Sequence, residues 1–139
     1  MTRTGPTKKV DRSYESGRLT NARSYLQAAR DALALAQEGS NTNPVMSQII
    51  NAAIAYTDTL TAQRKSVVNQ QDHMAAIKLL RECFGRDLPS SEERRLRRIL
   101  TEKDEVQYGV RFGRYSDARQ MLADLEAFAA WAERQMLGG

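Results

Sequence analysis

Apolar residues recur at steps of three and four through most of this chain. Leu19, Ala22, Leu26, Ala29, Leu33 and Ala36 trace one such stripe, the mark of an amphipathic helix with one face on a core. The spacing predicts a first helix over about 14–38, closed by Gly39, because glycine readily takes the left-handed conformation at a helix end. Asn43-Pro44 reads as a new start, with Asn43 as cap and Pro44 in the first turn, where no backbone donor is needed. Ile49, Ala53, Tyr56 and Leu60 line one face of this second helix, near 44–67, and Ile50, Ile54 and Thr57 widen that face. A stripe so broad predicts a central helix.

After the polar break Asn69-Gln70-Gln71-Asp72, a third helix is predicted near 72–84, with His73, Ala76, Ile77, Leu80, Cys83 and Phe84 on one side and Gly85 at its end. Ser90 and Glu93 have capping-box spacing. They open a fourth helix near 91–108, striped by Leu96, Ile99, Leu100, Lys103 and Val106 and ended by Gly109. Ser116 is placed to cap a last helix near 117–137, with Met121, Leu122, Leu125, Phe128, Ala129, Ala132 and Met136 facing inward. No stretch alternates as a half-buried strand would. Val110-Arg111-Phe112 comes nearest and is too short. The pattern predicts an all-α fold, an antiparallel up-and-down bundle of about five helices joined by short connections. Leu26, Leu33, Ile50, Ala53, Ile77, Leu80, Ile99, Leu100, Leu125 and Phe128 are its expected core.

Composition adds limits. A chain of 139 residues fits one domain. No run approaches the roughly 20 apolar residues of a membrane span, so no membrane association is expected. No secretory signal is visible, and the single cysteine, Cys83, suits a reducing, cytoplasmic setting. The net charge of +4 is uneven: residues 1–30 hold seven basic residues against two acidic, and the remainder holds 14 against 15. Residues 1–12 therefore read as a basic, disordered arm before a bundle over 13–139. Such an arm either solvates the chain or touches phosphate or an acidic partner.

Signatures of familiar chemistry are missing. There is no phosphate-binding loop, no dinucleotide fingerprint and no nucleophile elbow. One histidine and one cysteine cannot supply a usual zinc site, so neither metal nor cofactor is expected. Three features remain. Arg94, Arg95 and Arg98 cluster on one helix, either as a salt-bridged surface or as a phosphate-contacting patch. Asp72 can cap the third helix, and His73 falls on its apolar side. Lys103 interrupts the apolar stripe of the fourth helix, so its ammonium must reach solvent, a carboxylate or an interface.

At that lysine the chain resembles the HEPN family. The second helix, with Asp58 before Thr59-Leu60, the Asp72-His73 start of the third, the stretch Lys103-Asp104-Glu105-Val106-Gln107-Tyr108, and the closing helix with Ala118, Leu122, Leu125 and Phe128 carry the resemblance over about residues 16–136. It implies a small antiparallel helical bundle that forms homodimers. It also implies a setting in toxin–antitoxin, defence or stress systems, with RNA or a nucleotide, or a partner protein such as a nucleotidyltransferase, as ligand. Ribonuclease members of the family carry R-x-x-x-x-H on a late helix and cut RNA without metal at the dimer cleft. Here Lys103 stands at the arginine position and Tyr108 at the histidine position. Lysine lacks the bidentate fork of arginine, and an ordinary tyrosine, with a pKa near 10, is a poor neutral-pH acid or base.

Three functions follow from these readings. The first is a catalytically degenerate binding module, dimeric through the face of Lys103 and Tyr108. The second is a metal-independent ribonuclease using Lys103 and Tyr108, aided by Asp104 or by Asp72 and His73. The third is a structural assembly subunit. Trp131, one turn from Phe128, is the expected aromatic anchor of the dimer.

Overall fold

The computed structural model describes residues 6–138. A short strand, β1, covers Thr7–Lys9, and the first helix, α1, spans Arg12–Leu35. α2 covers Asn43–Lys65, β2 Val67–Asn69 and α3 Ala75–Phe84. After a 3-10 turn at Gly85–Asp87 come α4, Ser90–Thr101, and α5, Lys103–Tyr108, and α6 then runs over Tyr115–Gly138. The fold is all-α apart from one small ribbon, and all ten residues expected in the core are buried.

α2 is the central element, packed against α1, α3, α4, α5 and α6. Val45, Ile49, Ile50, Ala52, Ala53, Ala55, Tyr56 and Leu60 are buried on nearly all its sides, as a helix surrounded by others requires. Its buried threonines return their hydroxyls to the helix: Thr57 and Thr59 donate to the Ala53 and Ala55 carbonyls at 2.8 Å. Ion pairs fix the direction of the flanking helices. Arg23 meets Glu133 and Arg30 meets Glu126, so α1 runs antiparallel to α6.

Trp131 does not anchor an interface. It is 4% exposed and packs inside the chain on Phe84 and Phe128, with ring centroids 5.5 and 5.8 Å away. The guanidinium of Arg64 closes this aromatic cluster 4.2 Å above the Phe84 ring and pairs with Asp87.

The basic arm also differs from expectation. Residues 1–5 lie outside the described residues, but Thr7–Lys9 pair antiparallel with Val67–Asn69. Val10 N–H to the Ser66 carbonyl and Gln70 N–H to the Pro6 carbonyl, both 2.9 Å, extend that pairing. The ladder can form because Ser66 takes a left-handed conformation (φ 58) that ends α2 and turns the chain back. Apolar periodicity carries no signal for such a ribbon, since all three β1 side chains are exposed.

Helix ends shift by a few residues. α1 stops at Leu35, before Gly39, which sits with φ +89 in the following turn. Thr42, not Asn43, occupies the cap position of α2. The Ser90–Glu93 capping box does not form, because Glu93 turns to Arg81 and Arg97. α6 begins at Tyr115, one residue before its expected cap, Ser116. The fourth expected helix is broken at Glu102. There the Thr101 hydroxyl bonds back to the Arg97 carbonyl at 2.6 Å, and the Glu102 N–H bonds to the Ile99 carbonyl, three residues back, at 3.2 Å, a local tightening that bends helices. The bend lays α5 against α2.

Candidate functional site

Lys103 opens α5 half-buried. Its ammonium donates to Gln107 Oε1 at 3.0 Å, and the Gln107 amide donates in turn to Ser47 Oγ of α2 at 3.1 Å. The same ammonium lies 5.3 Å from the centroid of the Tyr108 ring, within cation–π range. The lysine that interrupts the apolar stripe thus tethers α5 to α2 through a polar chain and leans on an aromatic. Tyr108 itself is 77% exposed, and no side-chain hydrogen bond joins it to Asp104 among the described residues.

Beyond Tyr108 the chain leaves the helix through Gly109, which is extended (φ −83, ψ −174). Val110 is fully exposed and Phe112 is 58% exposed. Three large apolar side chains therefore face water at alternate positions of a five-residue stretch, a pattern that singly scattered surface residues do not make. The stretch is not loose. Asn43 Nδ2 donates to the Arg111 carbonyl at 2.8 Å, Thr42 N–H to the Gly113 carbonyl at 3.1 Å and Thr42 Oγ1 to the Arg114 carbonyl at 2.8 Å. Gly113 N–H donates to Asn41 Oδ1 at 3.2 Å. The turn before α2 is thus a clasp for the 109–114 segment. Gly113 is buried so closely beneath it that a Cβ there would run into Met46 and Asn43. Arg111 bonds to Glu102 at 2.7 Å across the bend between α4 and α5. Asn41 and Thr42 carry no chemical signature in the sequence, and only the fold brings them to a loop 72 residues further along the chain.

The arginine cluster is largely engaged. Arg98 forms a fork with both oxygens of Asp124, at 3.0 and 2.9 Å, and Arg95 meets Glu92 at 2.7 Å. Arg94 is exposed and has no ion pair among the described residues. Asp72 caps the entry to α3, accepting from Met74 N–H at 3.0 Å and Ala75 N–H at 3.1 Å, and His73 is half-buried in that turn. This turn follows the C-terminal end of α2, whereas Lys103 and Tyr108 lie over its N-terminal end. Ser47 and Lys65 are about 27 Å apart along that helix at 1.5 Å per residue. The fold does not bring Asp72 and His73 to Lys103.

Two further clusters escape the sequence reading. Arg18 of α1 and Asp58 of α2 pair at 3.2 Å between the helices, with the Arg18 Nε buried and unpartnered. Burial pushes the Asp58 carboxyl up to about 6, with Arg18 pulling against it only in part. Tyr56, buried in α2, donates from its hydroxyl to Glu133 Oε2 at 3.0 Å. Arg23 forks onto the same carboxylate at 2.9 and 2.7 Å and holds Glu133 below the usual carboxylate range, while burial raises the phenol. These residues line a groove of about 340 Å³ between α1 and α6. Among the described residues, no three His, Cys, Asp or Glu side chains converge as a metal cage would need, and no helix is long and apolar enough to cross a membrane.

Comparison with protein-family models, with curated proteins and with solved structures finds no match for this chain.

Proposed function

We propose that the chain is a HEPN-like binding module, catalytically degenerate, that acts as a homodimer through the face of Lys103 and Tyr108. The observation that carries this reading is the exposed run Tyr108, Val110 and Phe112, held rigidly by the Asn41–Asn43 clasp beside Lys103. Rigid presentation of apolar side chains lowers the ordering cost of association. The lysine supports the binding role over the catalytic one. Its ammonium is already shared between Gln107 and the Tyr108 ring, and neither Asp104 nor His73 is poised against the phenol as a general base would be. Lys103 and Arg114, both near the N-terminal end of α2, give an RNA strand or nucleotide cationic contacts. The setting the resemblance implies, a toxin–antitoxin, defence or stress system with a protein partner such as a nucleotidyltransferase, belongs to the same proposal.

Sedimentation equilibrium on the purified chain tests the dimer, and incubation with mixed RNA tests the chemistry. We expect a species near twice 15.7 kDa, salt-sensitive RNA binding that weakens in Lys103→Ala, and no metal-independent cleavage. Robust cleavage by the wild type, lost in both Lys103→Ala and Tyr108→Phe, would replace this reading with the ribonuclease one. A 15.7 kDa monomer at 100 µM with no RNA binding would leave only a structural role.

A further inference from the structure

The geometry points to a second binding site, in the groove between α1 and α6, that takes a small zwitterion: an α-amino acid with an apolar side chain. The groove shares no residue with the Lys103 face, so the site depends neither on the dimer nor on RNA. Its outline follows from helix geometry. Arg23 and Arg30 lie seven residues apart on α1, two turns or about 10 Å, and so share a side of that helix. Glu126 and Glu133 stand in the same relation on α6. The two ion pairs between them therefore close the groove at its ends. Between the ends α6 contributes only the small side chains of Ala129 and Ala130, which leaves the gap, and Leu26 lines it from α1. The Tyr56 side chain, on a residue 1% exposed, lines it from α2. A volume of about 340 Å³ is that of a site for a small molecule, since pockets for drug-sized ligands run from about 300 to 1,000 Å³.

The two ends of the groove differ. Glu133 is held by three donors: Arg23 donates to both carboxylate oxygens, at 2.9 and 2.7 Å, and the Tyr56 hydroxyl donates at 3.0 Å. At the other end Arg30 gives only its Nε, at 2.9 Å, to Glu126 Oε2. Nη1 and Nη2 of Arg30 and Oε1 of Glu126 have no hydrogen-bond partner among the described residues. Unused guanidinium donors and an unused carboxylate oxygen thus stand side by side, on side chains about half exposed and open to solvent. That couple complements a carboxylate and an ammonium carried on one carbon, the head group of an α-amino acid. Arg30 offers paired donors to the carboxylate, and Glu126 accepts from the ammonium. Charge makes the same selection. The two arginines and two glutamates that line the groove cancel, so a lone anion would face Glu126 and a lone cation would face Arg30. A zwitterion satisfies both. Its side chain then lies along Leu26, Ala129 and Ala130 toward Tyr56, where an apolar group fits and a further charge does not.

L-Leucine is the probe. Titrated into the full chain and followed by amide NMR, it should shift Leu26, Arg30, Ala129 and Ala130 with a Kd on the order of millimolar. 4-Methylpentanoate and 3-methylbutylamine carry the same branched chain with one charge each, and both should bind roughly tenfold more weakly or worse. Arg30→Gln and Glu126→Gln should each weaken leucine binding about tenfold, with thermal melts near the wild type, because an exposed pair contributes little to stability. Ala130 is exposed, so Ala130→Phe should fold normally and abolish binding by filling the groove. No shifts at about 10 mM leucine, an equal response to the singly charged analogues, or full binding by Ala130→Phe would each overturn the assignment. Sedimentation and RNA binding are read separately, so failure of this titration leaves the Lys103 reading standing.

Discussion

Asp58 sits between two helices with one guanidinium for company. Its carboxyl titrates near 6 in the folded chain and near 3.9 unfolded, so the folded state takes up a proton that the unfolded state releases. The stabilisation linked to that proton is fully present below about pH 4 and is lost as pH rises through 6. A shift of this size corresponds to about 2–3 kcal/mol as a ceiling. Glu133 and Glu93, held low by Arg23 and Arg81, act in the opposite sense, and their contribution fades only as pH falls below the ordinary glutamate range. Between pH 5 and 7 the wild type should therefore melt higher at the acid end. Asp58→Asn should flatten that slope in thermal scans, and parallel profiles for the two proteins would remove Asp58 as its source. Gly113 makes a second residue-scale case. Gly113→Ala must displace the ends of the Met46 and Asn43 side chains, at a cost of roughly 1–3 kcal/mol measurable by urea titration. An unchanged midpoint would mean that the clasp yields freely.

Elements were legible where burial is periodic. Leu96, Ile99 and Leu100 mark α4 because the helix has one dry side, and Leu100 is fully buried. Leu100→Ala should cost roughly 2–5 kcal/mol in urea unfolding, and a loss under half a kcal/mol would place that side chain outside the core. The bend at Glu102 left no mark on that stripe, since α4 and α5 continue the same apolar spacing through Val106. Caps were read less well, because Asn, Ser and Thr fit several neighbouring positions equally and tertiary partners choose among them. Glu93 went to Arg81 on α3 rather than to its own helix end. The site divides the same way. Lys103 was visible as a polar break in an apolar row, while the clasp at 41–43 and the Arg18–Asp58 pair depend on contacts between distant segments.

For the whole molecule, the basic N-terminal segment is part of the fold from Pro6 onward. Deleting residues 1–10 removes the β1 ladder along Val67–Asn69. Each intramolecular hydrogen bond lost is worth about 0.5–1.5 kcal/mol, so the deletion should lower the melting temperature by several degrees. A melt identical to the full chain would show the ribbon to be dispensable.

That ribbon joins Thr7 to Asn69, and this long span bears on the order of folding. Closing so large a loop brings little reward until α1 and α2 have docked and drawn its ends together. The helical hairpin then comes first and the ribbon last, as a seal added to a formed bundle. Elements that complete late and rest on a few solvent-facing hydrogen bonds are also the first to open. In amide exchange, Val10 and Gln70, whose N–H groups close the ribbon, should therefore lose protection well before Ile49 to Leu60. Mutations in the ribbon should speed unfolding and leave the folding rate nearly unchanged.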